Sequence, residues 1–210
     1  MRLAELTSLL APPLCWDCGG LTRAGQALCP GCRQQLRPPS AGWIDLGGLG
    51  LWAATTYEGP ARALVSALKF RGATSVADAM AARIAALAEL PRGARLVPVP
   101  LHPARRRRRG YNQAELLARS LGRRRGLPVE DCLVRAGTDA RPQLGLDREE
   151  RSVGPAGEIH IRDGRRAPEE AVLVDDVATT GATLRDCAAA LRGAGALQAR
   201  AVAFARTPGR

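Results

Sequence analysis

Three features of the amino-acid sequence predict an α/β fold, a mostly parallel twisted sheet flanked by helices behind a small N-terminal cysteine module. From residue 49 onward, short apolar runs alternate with segments whose apolar residues recur at helical spacing, the pattern of a doubly wound sheet. One apolar run ends in two adjacent carboxylates, Asp175 and Asp176, and a Thr/Gly turn opening a helix, which is where open α/β sheets bind ligands. Four of the six cysteines lie within the first 32 residues as two Cys-x2-Cys pairs. A chain of 210 residues holds one α/β domain of ordinary size plus an appendage. The Pro, Ser and Gly-rich stretch 37–42 places the boundary near residue 40, dividing 1–40 from 41–210.

Each element follows from its pattern. Residues 49–57 read as a strand, and 60–70 as a helix, because Ala63, Leu64, Ala67, Leu68 and Phe70 recur at helical spacing behind Pro60. A second helix is expected over 75–90, with Ser75 and Asp78 as a capping box. Residues 95–99 form a short strand whose prolines suit an end or an edge, and a basic loop follows. Asn112 with Glu115 opens a helix to Arg125 with the stripe Ala114, Leu117 and Leu121, and 127–134 reads as a strand. Residues 136–157 carry little periodicity and read as a long mobile loop, either a functional lid or an ordinary disordered connection. Strand 171–175, helix 183–192 stopped by Gly193 and Gly195, and strand 197–205 complete the series. No internal repeat is present.

Composition narrows the partners. Hydrophobic residues make up 46% of the chain but aromatics only 3%, so the core is built from Ala, Val and Leu, and base stacking on exposed aromatics is scarce. The net charge of +11 favours polyanions, whether nucleic acid, nucleotides or phosphorylated sugars. Only Lys69 among the 31 basic residues is lysine, and such arginine enrichment also reflects GC-rich coding, which discounts the charge evidence. No stretch approaches the roughly 18–20 apolar residues of a membrane span, and the N-terminus lacks the features of a secretory signal. A cytoplasmic protein is expected.

In a reducing compartment the cysteine spacing reads as metal binding. Cys15 and Cys18 are separated by ten residues from Cys29 and Cys32, and each pair places two thiolates on one side of a tight turn. Four thiolates leave no open coordination position, so a structural Zn²⁺ is expected, with two disulfides, four unrelated thiols or a rubredoxin-like iron as alternatives. Cys132 and Cys187 sit among apolar residues and read as buried small hydrophobes.

The most specific chemistry lies between Ala171 and Thr183. A buried strand delivers Asp175 and Asp176 to its end, and Thr179, Thr180, Gly181, Ala182 and Thr183 converge with backbone amides at a helix N-terminus, which favours a phosphate. Paired carboxylates beside it suit a vicinal diol or hydrated Mg²⁺. This arrangement resembles the motif of type I phosphoribosyltransferases that binds 5-phosphoribosyl-1-pyrophosphate (PRPP). The resemblance implies that fold, catalytic Asp175 and Asp176 holding the ribose hydroxyls, and Thr179, Thr180, Gly181, Ala182 and Thr183 cradling the 5-phosphate. The bland alternative is a capped turn whose threonines satisfy one another. No Walker phosphate loop occurs in the sequence.

Upstream, Leu96-Val-Pro98-Val99-Pro100-Leu-His102-Pro is followed by Arg105, Arg106, Arg107, Arg108 and Arg109, then Gly110-Tyr111-Asn112-Gln113. Taken alone the arginine run is a solvated surface or a candidate nucleic-acid contact. The whole string resembles the P-V-P-L-H-P…R-G-[FY]-N-Q signature of the competence protein F (ComF) family, which is related to the amidophosphoribosyltransferases. Tyr57-Glu58-Gly59-Pro60-x-Arg62-Ala63-Leu64 and Leu68-Lys69-Phe70 extend the likeness. It implies that Pro98, Val99 and Pro100 form the pyrophosphate-side loop and that Arg141, Gln143 and Arg148 belong to a flexible hood over PRPP. Gly154 stands where the family usually carries Asn.

Two functions follow as expectations. One is phosphoribosyl transfer from PRPP, with Mg²⁺, to an acceptor the sequence does not name. The other, implied by the resemblance, is a non-catalytic PRPP-sensing or single-stranded-DNA-binding factor in DNA uptake during transformation. A separate competence ATPase or helicase would then power movement.

Overall fold

The computed structural model describes residues 13–40, 42–136 and 159–207. Its elements run α1 (Pro30–Gln34), β1 (Ile44–Asp45), β2 (Gly50–Thr56), α2 (Gly59–Phe70), α3 (Val76–Leu87), β3 (Arg95–Pro98) and α4 (Pro103–Arg109). They continue with α5 (Gln113–Arg125), β4 (Leu133–Arg135), β5 (Ile159–Ile161), β6 (Glu170–Ala178), α6 (Ala182–Gly193) and β7 (Gln198–Arg206). One sheet has the order β1-β2-β7-β6-β3, parallel throughout except for the antiparallel β1 edge. β4 and β5 form a separate antiparallel pair.

The core lies on both faces of this sheet, as the two-residue period of a strand requires. Val172 and Val174 of β6 and Val202 and Phe204 of β7 face α2, α3 and α5, where Leu64, Leu68, Met80, Ile84, Leu117 and Leu121 are fully buried. Leu173, Ala201 and Ala203 face the opposite way, onto Leu184, Cys187 and Leu191 of α6. Central parallel strands are covered twice, which is why β6 and β7 read as continuous apolar runs. Cys132 and Cys187 are buried as small hydrophobes.

The elements depart from expectation where long-range contacts decide. Phe70, placed on the apolar stripe of α2, is 69% exposed with the Arg109 guanidinium 5.4 Å from its ring centre. Helix α3 ends at Leu87, and Ser75 adopts helical angles and makes no side-chain cap. Asp78 instead accepts a 2.6 Å bond from the Ser120 hydroxyl and pairs with Arg124, fastening α3 to α5. Asn112 caps α5 as expected: its Oδ1 accepts from the Ala114 N–H at 3.1 Å, and its Nδ2 donates to the Val99 carbonyl at 2.9 Å. Glu115 turns outward to Arg106 and Arg119 rather than back to the cap. Residues 127–134 meet β3 through the isolated bridge Leu96–Val129 and the Arg95–Glu130 ion pair before the chain leaves for β4. The basic segment is a helix, α4, started by Pro103 and ended by Gly110 in the left-handed conformation.

The N-terminal module packs on the main core. Cys15, Leu28, Cys32 and Leu36 belong to the same buried cluster as Leu64 and Phe204, and Arg83 donates to the Leu36 carbonyl at 2.6 Å. The Arg37 carbonyl accepts from the Thr56 N–H and the Thr55 hydroxyl, both at 2.9 Å, so the linker is tied to the end of β2.

Candidate functional site

The site begins where β3 stops. Pro98 pairs with Val174, the Val99 N–H reaches the Val174 carbonyl at 3.0 Å, and the chain then turns away at Pro100. β6 continues to Ala178, so beyond Val174 its β3 side is open. A cavity of about 150 Å³ occupies that gap, lined by Asp175, Asp176, Val99, Pro100, Lys69, Arg105, Arg109, Gln113, Arg135 and Thr183 among others. An adjoining pocket of about 50 Å³ is lined by Asp175 and residues 177–184. Asp175, Val177 and Thr183 belong to both.

The carboxylates differ in their partners. Asp175 Oδ1 accepts the backbone N–H of Asp176 at 2.8 Å. Burial, followed by the charge of Asp176, pushes its carboxyl well above the ordinary carboxylate range. Asp176 is 5% exposed, and the ammonium of Lys69, from the last turn of α2, lies 3.1 Å from its Oδ2. That oxygen accepts no aligned hydrogen bond, so the contact is a charge pair without a directional bond.

The loop after β6 is shaped by Gly181, whose φ of +73° disfavours side chains and whose ideal Cβ would lie 2.3 Å from Leu46 Cδ1. Thr180 Oγ1 accepts from the Ala182 N–H at 3.4 Å, and Arg185 folds back to the Thr180 carbonyl at 3.1 Å. Thr179 and Thr180 are exposed, Gly181 is buried, and α6 starts at Ala182.

Of the residues the sequence nominated, the structure gathers Asp175, Asp176, Val99, Pro100 and Thr183 around one cavity, and Thr179, Thr180, Gly181 and Ala182 around its neighbour. Pro98 stays in the β3 ladder. Arg141, Gln143 and Arg148 lie outside the described residues. The run 105–109 divides: Arg105 and Arg109, four apart on a helix, line the cavity, whereas Arg106 pairs with Glu115 at 3.3 Å. Lys69, Gln113 and Arg135 were not singled out, although the only lysine of the chain was a usable signal for the first.

At the other end of the molecule, the thiols of Cys15, Cys18, Cys29 and Cys32 lie within 4.8 Å of one another, with Cys18 and Cys29 sulfurs 3.8 Å apart. A tetrahedral thiolate site with bonds of about 2.3 Å requires sulfurs about 3.8 Å apart, so the cluster fits a metal such as zinc. Backbone amides turn to the sulfurs, Gly20 N–H to Cys18 at 3.4 Å and Cys32 N–H to Cys29 at 3.5 Å. Burial works to raise the Cys15 thiol, but backbone N–H groups of Cys18, Cys29 and Asp17 outweigh it and hold it at about 6. Among the described residues no helix is long and apolar enough to cross a membrane.

No family model matches the chain. Among solved structures it is similar to glutamine PRPP amidotransferase from B. subtilis, at 19% identity over 60% of this chain and 25% of that one, TM-score 0.44. It is also similar to adenine phosphoribosyltransferase from Leishmania tarentolae, at 14% identity over 67% and 74%, TM-score 0.40. These scores are too low to carry an argument. The sequence relatives are stronger: Streptococcus pneumoniae competence protein ComFC is 28% identical over 199 residues, 92% of this chain and 87% of that protein. The DNA utilization protein YhgH of Escherichia coli K12 is 29% identical over 211 residues, 88% and 87%. Competence protein F of Haemophilus influenzae is 30% identical over 206 residues, 92% of this chain and 85% of that protein; with nearly both chains aligned at that identity, this chain belongs to the competence protein F family.

Proposed function

We propose that the cavity and its neighbouring pocket bind PRPP with Mg²⁺, and that the protein moves the phosphoribosyl group to an acceptor with release of pyrophosphate. The observation that carries this reading is the shared wall of Asp175, Val177 and Thr183, which sets a pair of carboxylates beside a Gly-closed threonine loop at a helix N-terminus. Such a wall matches a diol next to a phosphate. Asp175 and Asp176 hold the ribose hydroxyls, and Thr179, Thr180, Gly181, Ala182 and Thr183 hold the 5-phosphate. Val99, Pro100 and the inward arginines Arg105 and Arg109 face the pyrophosphate side, where negative charge grows as the bond to the ribose carbon breaks. Bound Mg²⁺ would supply further neutralisation of that charge. The chain's own part is positioning and electrostatics.

The test is calorimetric titration with PRPP and Mg²⁺, followed by a pyrophosphate-release assay over bases, amines and single-stranded DNA. Binding with release supports the reading; absence of binding overturns it.

The names of the relatives, competence protein and DNA utilization protein, favour a compatible biological role in DNA uptake and handling. In that role Arg107 and Arg108, exposed on α4, meet single-stranded DNA, a separate competence ATPase or helicase drives movement, and Zn²⁺ on the four thiolates stabilises the N-terminal module.

A further inference from the structure

The cavity contains the only lysine of the chain. In a sequence where coding bias turns basic positions into arginine, a lone lysine among 31 basic residues marks a place where the guanidinium does not serve. The two cations differ in ways that matter here. Arginine presents a rigid planar fork that grips both oxygens of a carboxylate, whereas lysine is a compact point charge on a flexible stem.

The geometry around Lys69 is that of a contact made to be exchanged. Its side chain is 24% exposed, so it has room to move, and the Asp176 side chain it neutralises is 7% exposed. Asp176 Oδ2 has the ammonium at 3.1 Å yet accepts no aligned hydrogen bond. A buried carboxylate needs a counter-charge, but a pair without alignment lacks the directional bond that would make it permanent. Two further residues lining the cavity carry buried polar atoms without partners, Gln113 Nε2 and Arg109 Nε. The free cavity, lined by Lys69, Arg105, Arg109 and Arg135 against two carboxyl groups, is therefore rich in positive charge and short of hydrogen bonds.

We propose that Lys69 is an exchangeable counter-ion, a positioning residue that neutralises Asp176 in the free protein and yields Oδ2 to a hydroxyl of a bound phosphorylated polyol. Its ammonium then turns to the anionic group of that ligand. The polyol part of this inference rests on the PRPP reading above; the counter-ion part does not. An arginine at 69 would keep the charge and lose the exchange.

Reductive ¹³C-methylation of the full chain gives Lys69 one dimethyl-lysine resonance, identified by its loss in Lys69→Arg. The expected result is a different position for this resonance in wild type and Asp176→Asn, and a shift on adding PRPP with Mg²⁺ in wild type alone. Coincident resonances in wild type and Asp176→Asn overturn the proposal. So does calorimetric PRPP binding that leaves the wild-type resonance in place, and in that case the PRPP reading survives. If wild type binds no PRPP, that reading fails and titration with Mn²⁺ alone decides the counter-ion: Lys69→Met should bind it about tenfold more tightly, the effect of removing one like charge within 4–6 Å. Equal Mn²⁺ affinity in the two proteins overturns the proposal.

Discussion

A carboxyl group set beside a second carboxylate is costly to ionise, and Asp175 bears that cost. Its folded pKa is raised, by burial first and Asp176 second, so the unfolded chain releases the proton at lower pH than the native one. Whatever stability Asp175 contributes is present below its unfolded pKa and is lost as pH rises through the raised folded value. Asp175→Asn should therefore raise Tm by a few degrees at pH 8, with the gain shrinking toward pH 4, while removing PRPP binding. Thermal melts at the two pH values check the first part, and a Tm that falls at pH 8 would reject it. The double change Asp175→Asn, Asp176→Asn should abolish PRPP binding and keep the far-UV spectrum. At this scale the residues 175–183 were legible because they are consecutive: strand, acids, threonines and helix start follow one another in the chain. That Lys69, Arg109 and Gln113 share this cavity was not legible, because they come from α2, α4 and α5 and meet only when those elements pack.

Among the elements, α4 shows how a helix escapes a reading based on apolar period. Its inward face carries Arg105 and Arg109 toward a polar cavity, so no hydrophobic stripe exists to be found. The signals that were present are local: Pro103 at the first turn, His102 whose Nδ1 accepts from the Ala104 N–H at 3.3 Å, and Gly110 as the stop. The helical period divides the run into two testable faces. Arg105→Ala with Arg109→Ala should weaken PRPP binding by at least tenfold and leave the salt dependence of any DNA binding unchanged. Arg107→Ala with Arg108→Ala should spare PRPP and lower the logarithmic salt slope for single-stranded DNA by about 0.7 per lost phosphate contact. Equal effects of both pairs on both ligands would refute the division. The seam between α5 and the following segment offers a stability test, because the ideal Cβ at Gly122 lies 2.6 Å from the Leu127 carbonyl oxygen and 3.1 Å from Val129 Cγ2. Gly122→Ala should cost about 1–3 kcal/mol in urea denaturation, the usual range for overpacking.

For the whole molecule, the cysteine module and the sheet domain share one interior, which the linker composition at 37–42 did not disclose. Proline, serine and glycine there marked a change of segment, but composition says nothing of what the segment packs against. Leu28 and Leu36 are buried with Leu64 and Phe204, and Arg83 of α3 is bonded to the Leu36 carbonyl at 2.6 Å. A metal held by the four thiolates would fix the turns that hold Leu28 and Leu36 in place, so its binding energy would also be folding energy for that interface. Chelation should accordingly do more than unfold an independent appendage. Hydrogen exchange is expected to accelerate in α2 and α3 as well as in residues 13–36, since losing that cover exposes the helix face beneath it. β6, held between β3 and β7, should keep its protection. The same experiment on Cys29→Ser with Cys32→Ser should reproduce the pattern without chelator. Acceleration confined to 13–36 in both proteins would mean that the shared interior contributes nothing to the sheet domain, and unchanged exchange after complete removal of metal would reject a metal-supported module altogether.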